Sequence, residues 1–263
     1  MMEVSADPVP LFSRTLGNES QPDLIILHGL LGTSDNWQTL GKQFAESHRV
    51  HLVDQRNHGR SPHHPEHDYP SMASDLLGFM EHQGIDRASI IGHSMGGKTA
   101  LMFAHDHPER VEHLVVADMA ARAYAPHHAP IFDALLSAPI ASAADRGTIE
   151  DFLLERLSDV GMVAFLMKNL RREKAGGFTW RPNVDVLAHH LADVVAEVPL
   201  SMNTLPTLMI FGGASNYVNT ADLDSFNTHC MQLETHRIED AGHWLHASHP
   251  AEFFEVVSEF LAN

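Results

Sequence analysis

The sequence predicts an α/β fold in which helices cover both faces of a mostly parallel sheet. Short runs rich in Val, Ile and Leu alternate with segments whose apolar residues recur every three or four positions. This is the pattern of strands connected by crossover helices. The strand-like runs are apolar on successive residues, as expected for strands buried on both faces. A chain of 263 residues can form one such domain with an inserted subdomain.

The elements follow in chain order. An extended stretch at 9–16 is expected to add an antiparallel edge strand before the parallel set begins. We expect the parallel strands at residues 24–27, 50–53, 88–91, 114–117 and 208–211, with a weaker one at 233–238. The helical periodicity places covering helices at 36–46, 71–83, 95–105 and 250–261.

Residues 122–202 lack the strand pattern and are expected to form a helical cap inserted into the core. Turn residues cluster at Ala175-Gly176-Gly177. The predicted organisation is therefore a core of residues 1–121 and 203–263 and a cap of residues 122–202. Helical segments within the cap are predicted at 131–136, 149–157, 161–170 and 184–195.

Composition excludes several classes of function. Lys and Arg total 17 against 34 Asp and Glu, a formal charge of −17, which makes nucleic acid and anionic membranes poor partners. Cys230 is the single cysteine, so an intrachain disulfide and a cysteine zinc cluster are excluded. The segment Met1 to Pro8 lacks the features of a signal peptide, and no stretch is apolar for the roughly 18 residues of a membrane span. We expect a cytoplasmic protein without a membrane span.

The segment Gly92-His93-Ser94-Met95-Gly96-Gly97 joins a predicted strand to a predicted helix. A G-x-S-x-G turn at such a junction holds the serine in a strained backbone conformation, which the flanking glycines allow because they have no Cβ. Free N–H groups at the helix start favour a developing oxyanion. We expect Ser94 to be a nucleophile; the alternative is a tight turn that only packs helix against strand.

A serine nucleophile needs a histidine base, which in turn needs an orienting carboxylate. Gly242-His243-Trp244 follows the last predicted strand and precedes the last helix, which favours His243 among the 21 histidines. The nearby His246 and His249 are assigned to packing and solvent.

The first parallel strand leads into His28-Gly29-Leu30-Leu31-Gly32. Glycines in this loop allow backbone N–H groups to approach a ligand. We expect the N–H groups of Leu30 and Met95 to form an oxyanion hole, and the His28 side chain to serve as a structural hydrogen-bonding group.

Together, these motifs resemble the α/β-hydrolase superfamily along nearly the whole chain. More narrowly, the sequence resembles the bacterial YbfF-type esterases. The resemblance implies an α/β-hydrolase fold with the helical cap inserted after the sixth strand. The segments that carry the narrower resemblance are Asp54 to Ser61, Gly212 to Val218 and Gly242 to His246.

The resemblance also bears on the triad acid. Most superfamily members place it after the strand at 208–211, where this chain has Ser215 and no carboxylate. The narrower resemblance implies Asp118 as the acid, with Ser215 as an auxiliary hydrogen-bonding group to the histidine. Asp222 and Asp224 are rivals that look like polar positions at a helix start. A helix cap is the alternative role for Asp118.

Two further groups of residues receive structural or pocket assignments. In the turn at 54–61, Gly59 is expected to shape the backbone, and Asp54 and Arg56 to form an internal ion pair. The residues expected to line the acyl or leaving-group pocket, with core packing as the alternative, are Trp37, Trp180 and Arg181.

The predicted function is that of a serine esterase without cofactor or metal, acting through an acyl-enzyme on short- to medium-chain carboxylic esters or acyl thioesters. Its only predicted partner is this small-molecule substrate; the oligomeric state is not predicted. A different class, a ligand-binding receptor with weak or no turnover on the same fold, is the alternative. A metal-dependent hydrolase using His63, His64 and His67 is disfavoured because no strand-anchored carboxylate set accompanies these histidines.

Overall fold

A computed structural model describes residues 8–174 and 176–263 of the chain. Residues 1–7, which belong to the segment expected not to be a signal peptide, lie outside the described residues. So does Ala175 of the expected turn. The strands are β1 Ser13–Leu16, β2 Asp23–Leu27, β3 Arg49–Val53, β4 Ala88–His93, β5 Val111–Ala117, β6 Leu170–Arg172, β7 Phe178–Trp180, β8 Asn203–Gly212 and β9 Cys230–Ile238. The helices are α1 Gln38–Phe44, α2 Tyr69–Gln83, α3 Met95–Asp106, α4 Ala129–Ser137, α5 Arg146–Leu157, α6 Val160–Met167, α7 Val184–His189, α8 Leu191–Val194, α9 Thr220–His229, α10 Leu245–Ser248 and α11 Pro250–Leu261.

The main sheet has seven strands in the order β1-β3-β2-β4-β5-β8-β9. Only β1 pairs antiparallel, and the other neighbours pair parallel. The predicted α/β class and parallel sheet are confirmed. The edge strand is shorter than expected because the Val9 and Phe12 N–H groups donate to the side chains of Asp75 and Ser61 instead of to a strand.

The sheet separates two layers of apolar side chains. Neighbouring residues of β2 point to opposite layers: Ile25 packs with α2 and α3, and Ile26 packs with α1 and α11. Every residue of β4 is buried, as the successive apolar residues predicted. These layers hold the carboxyl ends of the central strands, and the turns that follow them, in fixed positions.

The helices α4 to α8 lie between β5 and β8 and enclose an apolar cluster of their own, which includes Phe132, Leu153 and Leu187. The cap was expected after the sixth strand, but among the described residues it follows the fifth, β5. The edge strand and the four parallel strands that the sequence predicts before residue 122 also number five.

Two details inside the insertion were also predicted wrongly. The expected helix at 184–195 is two short helices, α7 and α8. The strands β6 and β7 form an antiparallel hairpin where only helices and a turn were expected. These strands have three residues each, and Arg171 and Arg172 are exposed, so no apolar alternation marks them.

A buried lysine contacts both of the chain segments that connect the insertion to the core. The Lys98 side chain on α3 is fully buried, and its Nζ donates to the carbonyl of Arg122, at 2.7 Å, and to that of Ala196. A backbone hydrogen bond from the Tyr124 N–H to the Val195 carbonyl joins the same two chain segments. The insertion is therefore attached to α3 as well as to its own flanking strands.

The expected ion pair between Asp54 and Arg56 is not formed. Arg56 makes a bidentate pair with Asp75 of α2, with Nε–Oδ2 and Nη2–Oδ1 distances of 2.6 and 2.9 Å. Asp54 instead accepts the N–H groups of Ser34, in the segment after β2, and of Arg60 in the turn. A Cβ on Gly59 would approach the Asp54 carboxyl carbon to 2.2 Å. The role of Gly59 in shaping the turn is thus confirmed, whereas the partner of Arg56 was predicted wrongly.

Within residues 8–174 and 176–263, no helix is both long enough and apolar enough to cross a membrane.

Replacing Asp75 with Asn is expected to lower the free energy of unfolding by about 3–5 kcal/mol, because it leaves the buried Arg56 charge without a countercharge. Asp35→Asn serves as the control: Asp35 pairs with Arg14 at the surface, and losing an exposed pair costs about 1 kcal/mol or less. Urea unfolding of both variants measures the difference. Equal losses would contradict the assignment.

Candidate active site

Ser94 occupies the turn between β4 and α3 in a strained conformation, with φ 54° and ψ −121°. Gly92 and Gly96 make the turn possible. A Cβ on Gly92 would lie 2.3 Å from the Gly96 carbonyl oxygen, and one on Gly96 would lie 2.4 Å from that of Leu27. The turn therefore places the Ser94 hydroxyl beyond the carboxyl end of the sheet at the start of α3, as a nucleophile elbow does.

His243 lies in the loop between β9 and α10. Its Nε2 is 2.9 Å from the Ser94 hydroxyl oxygen, and its Nδ1 is 2.7 Å from Oδ2 of Asp118. A carboxylate accepts from Nδ1–H, which leaves Nε2 as the acceptor for the serine proton. The structure thus brings Ser94, His243 and Asp118 into one hydrogen-bonded series.

Asp118 follows β5 with φ 49° and is fully buried. Besides His243, its carboxylate accepts hydrogen bonds from the Gly212 N–H at 3.0 Å and from the Ser215 hydroxyl at 2.5 Å. Ser215 therefore contacts the carboxylate, while the expectation was an auxiliary bond to the histidine. These donors compensate the buried charge.

The rival carboxylates have other partners. Asp222 closes a capping box with Asn219 at the start of α9 and pairs with Arg122 at 2.9 Å. Asp224 is exposed on the same helix. Asp222 occupies a helix-start position, as the sequence suggested, whereas Asp224 is the fifth residue of α9.

The N–H groups of Leu30 and Met95 are available on either side of Ser94. Within the described residues, neither donates a hydrogen bond to a protein acceptor. His28 stabilises the first of these loops, since its ring bonds to the Gly29 carbonyl and accepts the Gln55 N–H. Leu30, Met95 and Ser94 together line one small pocket.

A cavity of about 850 Å³ opens between the sheet and the insertion, with Ser94 and His243 in its wall. Trp37 lines it, as predicted. From the insertion, α6 contributes Met162 and Phe165. A volume of this size suits a ligand of drug-like dimensions.

The other two residues expected at the pocket are not among those that line the cavity. Trp180 is buried in the apolar cluster of the insertion, and its indole N–H donates to the Leu135 carbonyl at 3.1 Å. Arg181 lies 4.0 Å from Asp35 across the junction of insertion and core. Trp180 is the last residue of β7, and Arg181 follows it directly. The sequence did not indicate this strand, so the directions of the two side chains could not be predicted from it.

Tyr217 is a site residue that the sequence reasoning missed. Its ring stacks on His243 with a centroid distance of 3.7 Å and an interplanar angle of 14°. Its hydroxyl is 2.7 Å from Nε2 of His127. Tyr217 lies in the segment 212–218, which carries part of the family resemblance, two positions after Ser215. An aromatic residue so close to the usual position of the triad acid was the sequence feature that could have identified it.

Two further histidines surround His243. His93 Nε2–H donates to the His243 carbonyl at 2.8 Å, and the His246 ring stacks on Trp37 at 4.2 Å. Burial places the pKa of His93 well below its ordinary value and lowers that of His246 to about 3. Both rings are therefore neutral near pH 7. His246, assigned to packing, does pack, but it also lines the cavity.

Metal ligation has no support among the described side chains, where no group of three or more His, Cys, Asp or Glu residues is arranged to hold an ion. The three histidines considered for that role contact different groups. His63 bonds to the Arg181 carbonyl, and the His64 ring accepts the Glu66 N–H. Nδ1 of His67 lies 3.4 Å from the Asn57 amide nitrogen.

Comparison with known proteins agrees with the fold. A family model described as the alpha/beta hydrolase fold matches residues 22–159. The chain is similar to the mouse (Mus musculus) protein named sn-1-specific diacylglycerol lipase ABHD11, with 35% identity over 97% of this chain and 86% of the mouse protein. It is also similar to Esterase YbfF of Escherichia coli K12, with 33% identity over 90% of this chain and 92% of that protein.

Among solved structures, one named "Marine microorganism esterase" superimposes with a TM-score of 0.92 and 37% identity. The match covers 96% of this chain and 99% of the other. The likeness therefore extends through both the sheet and the inserted helices.

The buried neutral histidines make stability dependent on pH. An unfolded His246 takes up a proton below its ordinary pKa of 6.5, whereas the folded one does so only near pH 3. The unfolded state then binds more protons, so the free energy of unfolding falls as pH falls from 6.5 towards 3. Between pH 7 and pH 5, we expect His246→Phe to reduce the decrease in the free energy of unfolding by about 2 kcal/mol.

Urea unfolding at the two pH values measures this effect. His249→Phe is the control, because His249 lies outside the cavity lining and is only half-buried. If both variants lost as much stability on acidification as the unsubstituted chain, His246 would not be the source.

Proposed function

This chain belongs to the α/β-hydrolase family, and we propose that it is a serine hydrolase that cleaves carboxylic esters or thioesters through an acyl-enzyme intermediate. The observation that carries the proposal is the hydrogen-bonded series from Ser94 through His243 to Asp118, with distances of 2.9 and 2.7 Å. The similar proteins from Escherichia coli and mouse are named as an esterase and a diacylglycerol lipase, and both names describe enzymes that act on esters, which supports the same reaction class.

In the first half-reaction, the Ser94 oxygen attacks the acyl carbonyl carbon while its proton passes to Nε2 of His243. The carbonyl oxygen becomes an oxyanion, which the N–H groups of Leu30 and Met95 stabilise. The bond to the leaving group then breaks as Nε2–H gives its proton to the leaving oxygen or sulfur. An ester of Ser94 with the acyl group remains.

In the second half-reaction, a water molecule takes the place of the leaving group. His243 accepts its proton, the hydroxide oxygen bonds to the acyl carbon, and the carboxylic acid leaves as Ser94 regains its proton. Asp118 holds the histidine in the required tautomer in both steps and stabilises the imidazolium that forms. No step requires a cofactor.

Residues 122–202 serve as the cap of this site, inserted into a core of residues 1–121 and 203–263. The support is that α6 supplies cavity-lining side chains while the helices of the insertion pack around a separate apolar cluster. The cap determines which esters fit.

Ser94→Ala is expected to lower kcat/KM for p-nitrophenyl acetate by more than about 10⁴-fold, because the attacking oxygen is removed while binding and the oxyanion hole remain. A fluorophosphonate probe should label the unsubstituted chain at Ser94 and not this variant. An unchanged circular dichroism spectrum serves as the folding control. Absence of both hydrolysis and labelling in the unsubstituted chain would favour a ligand-binding receptor on the same fold.

Asp118→Asn should cost about 10⁴-fold in kcat, because an amide in this place favours the wrong imidazole tautomer and provides no countercharge. Ser215→Ala should cost about tenfold or less, since it removes one hydrogen bond to the carboxylate and leaves the charge in place. Steady-state kinetics on the two variants gives the contrast. If Asp118→Asn kept nearly full activity while Asp222→Asn was inactive, the triad acid would be Asp222 on α9 and not Asp118.

A further inference from the structure

Ser94 faces a second, much smaller pocket in addition to the large cavity. Its volume is about 20 Å³, which is close to the space that one or two water molecules need. The residues at the boundary of the two spaces line both of them. They are Leu30, Ser94, Tyr124, His127, His128 and Tyr217.

The far end of the small pocket is closed by apolar side chains from both the core and the insertion. The residues that line only this pocket are Met95, Met119, Val194 and Val195, and all four are buried. Met95, the first residue of α3, and Met119 belong to the apolar layer in which α2 and α3 pack against the sheet. Because protein cores are closely packed, a longer ligand cannot extend this pocket without displacing core side chains.

The two spaces differ in their relation to His243, which lines the large cavity and not the small pocket. The leaving group must lie next to His243, because it receives its proton from Nε2 of that residue. The two candidate oxyanion donors, Leu30 and Met95, meet Ser94 at the small pocket. The acyl substituent exchanges no proton with the histidine and needs no contact with His243, so it is the part of the substrate that can enter the small pocket.

On the basis of the serine mechanism proposed above, we propose that the small pocket holds the acyl group and restricts it to about two or three carbons, while the large cavity holds the leaving group. The substrate class is therefore acetyl-sized esters or thioesters of a large, mostly apolar alcohol or thiol. Such a substrate is the reverse of a long-chain fatty acyl ester, in which the acyl side is the large one.

A pair of isomeric esters tests this assignment directly. Octyl acetate and ethyl octanoate have the same atoms and similar hydrophobicity, but the long chain lies on opposite sides of the ester bond. We expect the unsubstituted chain to hydrolyse octyl acetate with a kcat/KM at least about 100-fold higher, because the closed pocket rejects the octanoyl chain. Equal rates, or faster hydrolysis of ethyl octanoate, would overturn the assignment.

A matched pair of variants locates the restriction. Met119→Ala removes three side-chain atoms from the closed end of the small pocket and should raise the kcat/KM ratio of p-nitrophenyl butyrate to p-nitrophenyl acetate by about tenfold or more. Met162→Ala makes the same deletion in the large cavity and should leave this ratio unchanged, because the leaving group is the same in both esters. A shift of the ratio in Met162→Ala and not in a folded Met119→Ala would place the acyl group in the large cavity.

These outcomes separate the two proposals. If the unsubstituted chain hydrolyses neither isomer nor p-nitrophenyl acetate and takes no fluorophosphonate label, the serine hydrolase assignment fails and the acyl-pocket assignment fails with it. If it is labelled at Ser94 and prefers the octanoyl ester, only the acyl-pocket assignment fails. The isomer comparison needs no variant, so it remains decisive even if Met119→Ala does not fold.

Discussion

The buried carboxylate of Asp118 is the constraint on which the arrangement of the site depends. A fully buried charge is stable only when hydrogen-bond donors surround it, and here they come from the last residue of β8 and from the loops after β8 and β9. Gly212, Ser215 and His243 are therefore held around one point at the end of β5. The same interaction that compensates the charge aims the imidazole at Ser94.

The neighbouring strand β4 ends in a second constrained residue. Ser94 and Asp118 both have positive φ, a conformation that costs non-glycine residues roughly 1–3 kcal/mol each and is maintained by the surrounding structure. The close approach of Gly96 to the Leu27 carbonyl fixes the elbow against β2. Because burial keeps His93 and His246 neutral, a positive charge developing on His243 faces Asp118 without competing cations from these rings.

The sequence predictions that failed share a physical cause. The sequence analysis paired Arg56 with its near neighbour Asp54, whereas the packing of α2 against the turn pairs it with Asp75. The indole of Trp180 points into the insertion because the short hairpin β6–β7 orients it. Contacts between segments distant in the chain leave no periodic signal, so neither outcome could be read from local patterns.

The sequence by itself determined the sheet, its covering helices and the identity of the candidate nucleophile and base, because successive apolar residues, glycines at a strand-to-helix turn and position after a strand are local properties. The tertiary structure decided the features that depend on contacts between segments distant in the chain. It joined Asp118 to His243 across 125 positions, stacked Tyr217 on that ring, and divided the space around Ser94 into a large cavity and a small closed pocket. Shape and direction arise from packing, which no single segment encodes.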